Sequence, residues 1–168
     1  ALEWVHGYRG EDRRGNVWYT SSGEIAYFAA RLGIIYSPLN HSQRHVTLHA
    51  NDISCIAVSP AGSTAATSES SERPSTICWD TGTCAPLAVL SGTHTSPVTQ
   101  VAFSPCGGYV ATIGADGTLV LCEWRSRRRV FSSRSELKAP LGLSLTSSES
   151  PESLAACGTA DPFVCFWQ

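Results

Sequence analysis

Methionine is absent from this 168-residue chain, and lysine occurs once, at Lys138, so the other positive charges are all arginine. Without an initiator methionine the first residue is not a translational start, and the chain reads as an excerpt of a longer protein. Charged residues make up only 15%, where about 25% is typical, and the formal net charge is −2. No global basic footprint exists, so neither nucleic acid nor membrane is expected as a partner. Long apolar runs are missing too: Ile25 to Ala30 is broken at Arg31, far short of a bilayer span. The opening Ala-Leu-Glu-Trp lacks the basic-then-apolar order of a secretory signal.

Also missing are the local patterns of catalysis and metal binding. There is no Gly-x-Ser-x-Gly elbow and no Gly-x-x-x-x-Gly-Lys phosphate loop, so an enzyme is not expected and no cofactor is implied. The seven cysteines are odd in number and form no Cys-x-x-Cys pair. Most lie inside apolar stretches, such as Cys55 in Ile53–Val58, Cys122 after Leu121 and Cys165 in Phe163–Phe166. They read as small buried hydrophobes in a reducing compartment rather than as disulfides or zinc ligands. His41, His45 and His49 recur every four residues, but in a strand-and-turn context that interval does not converge on one metal.

What is present is a repeat. His49 to Pro60 followed by Ala65-Ala-Thr67 aligns with His94 to Pro105 followed by Val110-Ala-Thr112, at an interval of 45 residues. A more worn copy runs from Leu141-Gly-Leu-Ser-Leu145 through Leu154-Ala-Ala156 to Phe163–Trp167. Short apolar alternations bounded by Ser-Pro, Gly-Gly or Asp116-Gly117 mark strands joined by tight turns. Four such strands in about 40–45 residues, opened by His and closed by Trp79-Asp80, is the WD40 blade pattern.

WD40 blades often carry a hydrogen-bonded tetrad of histidine, serine or threonine, aspartate and tryptophan. The resemblance places His49 and Trp79 on it in the first copy, where Ser68 to Ser75 reads as a polar loop insertion. It places His94, Thr112 and Asp116 in the second copy, where Cys122 stands at the tryptophan position and Trp124 comes two residues late. Asp161 and Trp167 keep the spacing in the third copy, which no histidine opens.

Residues 1–48 show no such repeat. They hold Trp4-Val-His-Gly7-Tyr8-Arg9-Gly10, Gly23-Glu24-Ile-Ala-Tyr27-Phe28 and Ser42-Gln-Arg-His45. In this order they resemble the HELP motif of the echinoderm microtubule-associated protein-like family, and the likeness runs along the whole chain. It implies a tandem atypical propeller with the HELP segment packed into it. Aromatics bury large areas, so Trp4, Tyr8, Trp18, Tyr19, Tyr27 and Phe28 are expected in the core.

The expected fold is all-β: a partial WD40 propeller of about three blades (49–91, 92–133 and 134–168) after a HELP segment (1–48), a fragment of a larger tandem propeller. Propellers need about 4–8 blades to close. The resemblance implies a non-enzymatic scaffold that binds tubulin or microtubules, with other cytoskeletal or axonemal partners, in the cytoplasmic cytoskeleton or a ciliary axoneme. A general WD40 interaction hub, for signalling or ubiquitin ligation, is the alternative. The charge cluster Arg125, Arg127, Arg128 and Arg129 is expected in an inter-blade turn, as a solvated loop or as a contact to acidic tubulin. Arg9, Arg13 and Arg14 form a looser second group.

Overall fold

Short runs of β-branched, aromatic and small residues, most of them stopped by a Gly, Pro or Ser turn, favour strands of 3 to 7 residues, too short to stand alone. The computed structural model describes residues 2–11, 15–135, 140–146, 154–158 and 164–167, the last two stretches by backbone alone, and no helix occurs among the described residues. Strands β1 (Val17–Tyr19), β2 (Ile25–Ala29), β3 (Leu32–Ser37) and β4 (Ser42–Val46) form one antiparallel sheet in chain order. A second holds β5 (Ile53–Val58), β6 (Thr64–Glu69), β7 (Thr76–Asp80) and β8 (Pro86–Leu90). A third holds β9 (Val98–Phe103), β10 (Tyr109–Gly114), β11 (Thr118–Glu123) and β12 (Arg128–Arg134), and a fourth the three strands β13 (Pro140–Leu145), β14 (Leu154–Gly158) and β15 (Val164–Trp167).

The structure adds to one reading of the sequence and corrects another. The segment 1–48, which does not repeat in sequence, builds a four-stranded sheet of its own from residue 17 to residue 46. Alternating Ile25-Ala-Tyr-Phe-Ala29 and Leu32–Ser37 suffice for pairing, and the turn between β1 and β2 is made by Gly23 at φ +77°. The Ser68–Ser75 insertion is shorter than expected, because Ser68 and Glu69 belong to β6 and both are buried.

Each core cluster is shared between two neighbouring sheets. Phe28, Ile35 and Val46 of the first sheet pack against Ile53, Ile77 and Trp79 of the second. Cys55, Ala66 and Cys78 of the second meet Val101, Val120 and Trp124 across the next interface. Ile113, Leu119 and Leu121 meet Leu143 and Leu145 of the fourth sheet. The first strand of each sheet lies beside its neighbour's: β1 by β5, β5 by β9 and β9 by β13. Their residues line a cavity of about 450 Å³ that includes Trp18, Ile56, Val101, Phe103 and Leu143. Sheets stacked face to face around a common cavity make this a partial β-propeller.

Candidate functional site

The second sheet holds a continuous hydrogen-bond chain. Thr67 stands opposite Ile77 in the ladder and Ala65 opposite Trp79, so Thr67 and Trp79 lie diagonally within reach. Trp79 Nε1 donates to Thr67 Oγ1 at 3.1 Å, and Thr67 Oγ1 lies 2.7 Å from His49 Nε2. His49 Nδ1 then reaches Glu69 Oε1 at 3.2 Å. Burial lowers the His49 pKa and keeps the ring neutral against the pull of Glu69. Glu69 is itself raised by burial, but the Ser75 N–H, His49 and the Ala50 N–H outweigh this and leave it below its ordinary value. An ionised Glu69 only accepts, so His49 carries its proton on Nδ1 and Nε2 accepts from the threonine hydroxyl. The order is fixed: Trp79 N–H to Thr67, Thr67 O–H to His49, His49 N–H to Glu69.

The third sheet keeps half of this. His94 Nε2 lies 2.7 Å from Thr112 Oγ1. Val110 faces Cys122 as Ala65 faces Trp79, so a thiol occupies the indole's place and Thr112 has no tryptophan donor. Trp124 turns away and donates from Nε1 to Gly107 O at 2.8 Å. Asp116 does not bond His94. It accepts instead from Ser96 Oγ and Thr118 Oγ1, both at 2.8 Å, and His94 Nδ1 is left buried and unpartnered. Burial pushes the His94 pKa down to about 4 despite nearby Asp116. Asp161 lies outside the described residues, and Trp167 is placed by backbone alone, opposite Leu154.

Residues 2–11 run across the far face of the first sheet. Gln43 holds this segment like a strand partner: it accepts from the Val5 N–H at 2.8 Å and donates to Val5 O at 3.2 Å and to the Tyr27 hydroxyl oxygen at 2.9 Å. Trp4 stacks near Tyr36 and His41, while Tyr8 packs by Tyr27 and donates to Asn16 Oδ1. Arg9 reaches Ile53 O, and Glu24 pairs with Arg44 at 2.7 Å. The expectation that all six aromatics are core is corrected. Phe28 is fully buried, but Tyr8, Trp18 and Tyr19 remain 52%, 41% and 73% exposed. One face of this sheet is covered by the second sheet; among the described residues the other carries the extended segment, with a cavity of about 430 Å³ between Trp4, Tyr8, Val17, Tyr27 and Gln43. The three histidines stand apart in role: His41 stacks on Trp4, His45 bonds Gln43 and His49 serves the tetrad.

The arginine cluster is not in an inter-blade turn. It forms the hairpin between β11 and β12, within one sheet, with Arg127 at φ +59° in the tight turn and Arg128 and Arg129 on β12. Leu121 and Cys122 flank a register shift there, so Glu123 pairs directly with Arg128 and the chain reverses over residues 124–127. Arg125 lies over the Trp124 ring at 4.3 Å, and Arg128 contacts Glu123 at 3.4 Å. A hydrogen bond from Ser126 to Glu123, with Arg128 adding to it, lowers the Glu123 pKa. All four arginines are exposed. Arg13 and Arg14 lie outside the described residues.

The HELP motif model matches residues 1–34, and the model for the WD domain, G-beta repeat, matches residues 84–122. Echinoderm microtubule-associated protein-like 2 of Rattus norvegicus is 31% identical over 179 aligned residues, covering 99% of this chain. Echinoderm microtubule-associated protein-like 1 of Mus musculus is 34% identical over 77% of the chain, and the 77 kDa echinoderm microtubule-associated protein of Strongylocentrotus purpuratus is 32% identical over 80%. The chain carries a HELP motif and a WD repeat, and it is similar over most of its length to echinoderm microtubule-associated protein-like proteins. It spans 27%, 17% and 21% of the length of these three relatives.

The G-beta match begins before the expected blade at 92, taking in β8 and ending within β11. Glu69 and Ser126 escaped the sequence reading. Glu69 does an aspartate's work from a strand end rather than from the β6–β7 turn, where Arg73 stands six residues before Trp79. Its one available signal was an acidic residue two positions after a blade threonine.

Proposed function

We propose that this chain is part of a non-enzymatic scaffold that associates with microtubules through propeller surfaces, within the cytoplasmic cytoskeleton. The observation that carries the reading is its similarity to relatives that are each named as microtubule-associated. Tubulin is the proposed partner, and the β11–β12 hairpin with Arg125, Arg127, Arg128 and Arg129 is the proposed contact. It is a compact cationic tip whose only nearby acid is Glu123 among the described residues. An axonemal setting, with other axonemal partners, is a finer form of the same proposal. His49, Thr67 and Trp79, with His94, Thr112 and Asp116, act as blade supports and not as ligands.

Co-sedimentation of the full-length protein with polymerised microtubules tests this. Pelleting at low salt that falls as salt rises is expected, because exposed ion contacts are screened. Absence of pelleting at low salt removes the microtubule reading. Reversing Arg127 and Arg128 to glutamate is expected to weaken affinity about tenfold, at under 1 kcal/mol per exposed contact. Unchanged pelleting removes the hairpin from the interface. The second reading, an interaction hub that does not bind tubulin, is favoured by the net charge of −2 and the exposed aromatics of the first sheet. The same experiment separates the two.

A further inference from the structure

Ser126 sits at the tip of the β11–β12 hairpin, exposed and outside the strand ladder. Its hydroxyl donates to Glu123 Oε2 at 2.7 Å, with Glu123 O at 3.3 Å as a second acceptor. Arg125 precedes it, and Arg127, Arg128 and Arg129 follow. We propose that Ser126 is a phosphorylation site, and that its modification releases the hairpin from an acidic partner. The release half of this rests on the microtubule-contact reading above.

Two observations single out this serine. The flanking arginines suit a kinase whose peptide groove is lined with carboxylates, and the turn over residues 124–127 leaves the serine free to enter such a groove. Ser132 and Ser133 also follow the arginines, but β12 holds them in register with Val120 and Leu119, so their backbone is committed to the sheet. In the transfer, Ser126 Oγ attacks the γ-phosphorus of ATP. The Oγ–P bond forms, the bond to the β,γ-bridging oxygen breaks, ADP departs, and the hydroxyl proton passes to the kinase's base.

The electrostatic consequence follows from the tip's composition. Glu123 to Arg129 holds four arginines and one glutamate. A phosphoserine adds about −1.5 to −2 charges, which takes the tip from strongly to weakly cationic. It also repels Glu123, frees Arg128 and offers acceptor oxygens to Arg125, Arg127 and Arg128. The arginines then turn inward to the hairpin's own phosphate, where they no longer face a partner.

The test treats the full-length protein with Mg-ATP and protein kinase C, an arginine-directed serine kinase, and maps phosphate by mass spectrometry. Treated and untreated protein are then co-sedimented with microtubules. Expected are phosphate on Ser126, about fivefold weaker microtubule affinity after treatment, and no treatment effect in S126A. A hairpin peptide that takes up no phosphate overturns the site. Phosphate at Ser126 with unchanged pelleting overturns the release. If untreated protein does not pellet, the microtubule reading fails by itself. The site is then judged on incorporation, its presence at Ser126 supporting the inference and its absence overturning it.

Discussion

Replacing Thr67 by valine keeps the side-chain shape and removes one oxygen on which two buried groups depend. Trp79 is fully buried and donates to that oxygen at 3.1 Å; His49 is 4% exposed and lies 2.7 Å from it. The substitution strands both the indole N–H and the imidazole Nε2. At about 1–3 kcal/mol for each unsatisfied buried group, the expected loss is about 3 kcal/mol. Thr112→Val strands only His94 Nε2, because Cys122 replaces the indole, and half that loss is expected. Native-state hydrogen exchange reads each sheet separately. Amides of β6 and β7 should exchange about a hundredfold faster in T67V, against about tenfold for β10 and β11 in T112V. Pairing T67V with Trp79→Phe should show coupling of about 1 kcal/mol, since the phenyl ring no longer asks for an acceptor. Equal effects of the two valines, or strict additivity in the pair, would refute the relay.

Gly62 has φ +72°, and an added Cβ would meet the Ser21 backbone nitrogen at 2.4 Å; at Gly92, φ +68°, it meets nothing. Gly92→Ala should lose only about 1 kcal/mol in thermal unfolding, and Gly62→Ala clearly more. His94 has a folded pKa near 4 against an ordinary 6.5. The unfolded chain therefore takes up the proton first, and stability present above pH 6.5 declines as pH falls towards 4, by up to about 3 kcal/mol. His94→Gln should flatten that window in a pH series of denaturant unfolding. Glu69, held below the usual carboxylate range by the Ser75 and Ala50 N–H groups and His49, adds a further fall only at still lower pH. Among the cysteines with described side chains, Cys106 should alkylate first. It is exposed and its thiol is lowered by the hydrogen bond with Ser104, while burial pushes Cys78 up to about 12. Mass mapping after brief iodoacetamide treatment at neutral pH checks the order.

Blade punctuation was legible wherever turn chemistry and core demand coincide. Ser59-Pro60 and Ser104-Pro105 follow the ends of β5 and β9, and Asp116-Gly117 turns the chain between β10 and β11, each where pairing must stop; Trp79-Asp80 instead closes the paired strand β7. The first sheet lacked that punctuation, yet pairing needs only alternation and a turn, both present at Ile25–Ala29 and Gly23. Burial of its aromatics was misjudged for a different reason. Side-chain type states an appetite for burial, but Tyr19 and Tyr8 are covered only if something stacks on their face. Glu69 was hidden because a longer side chain can fill an aspartate's role from another backbone position. Cys122 was legible as a missing tryptophan; that Trp124 would cap Gly107 instead was not.

The three ways of dividing this chain do not coincide. The matched G-beta unit runs from residue 84 to 122, the hydrogen-bonded sheet from Val98 to Arg134, and each apolar cluster straddles two sheets. Overlapping boundaries of this kind work like bricks laid in running bond: no vertical cut passes between courses without breaking a brick. A break in the backbone near residues 91–97 would respect the sheets yet divide Cys55, Ala66 and Cys78 from Val101 and Val120. Evolution by whole-repeat duplication can lengthen such a wall, but excision of one sheet leaves two mismatched faces to be rejoined.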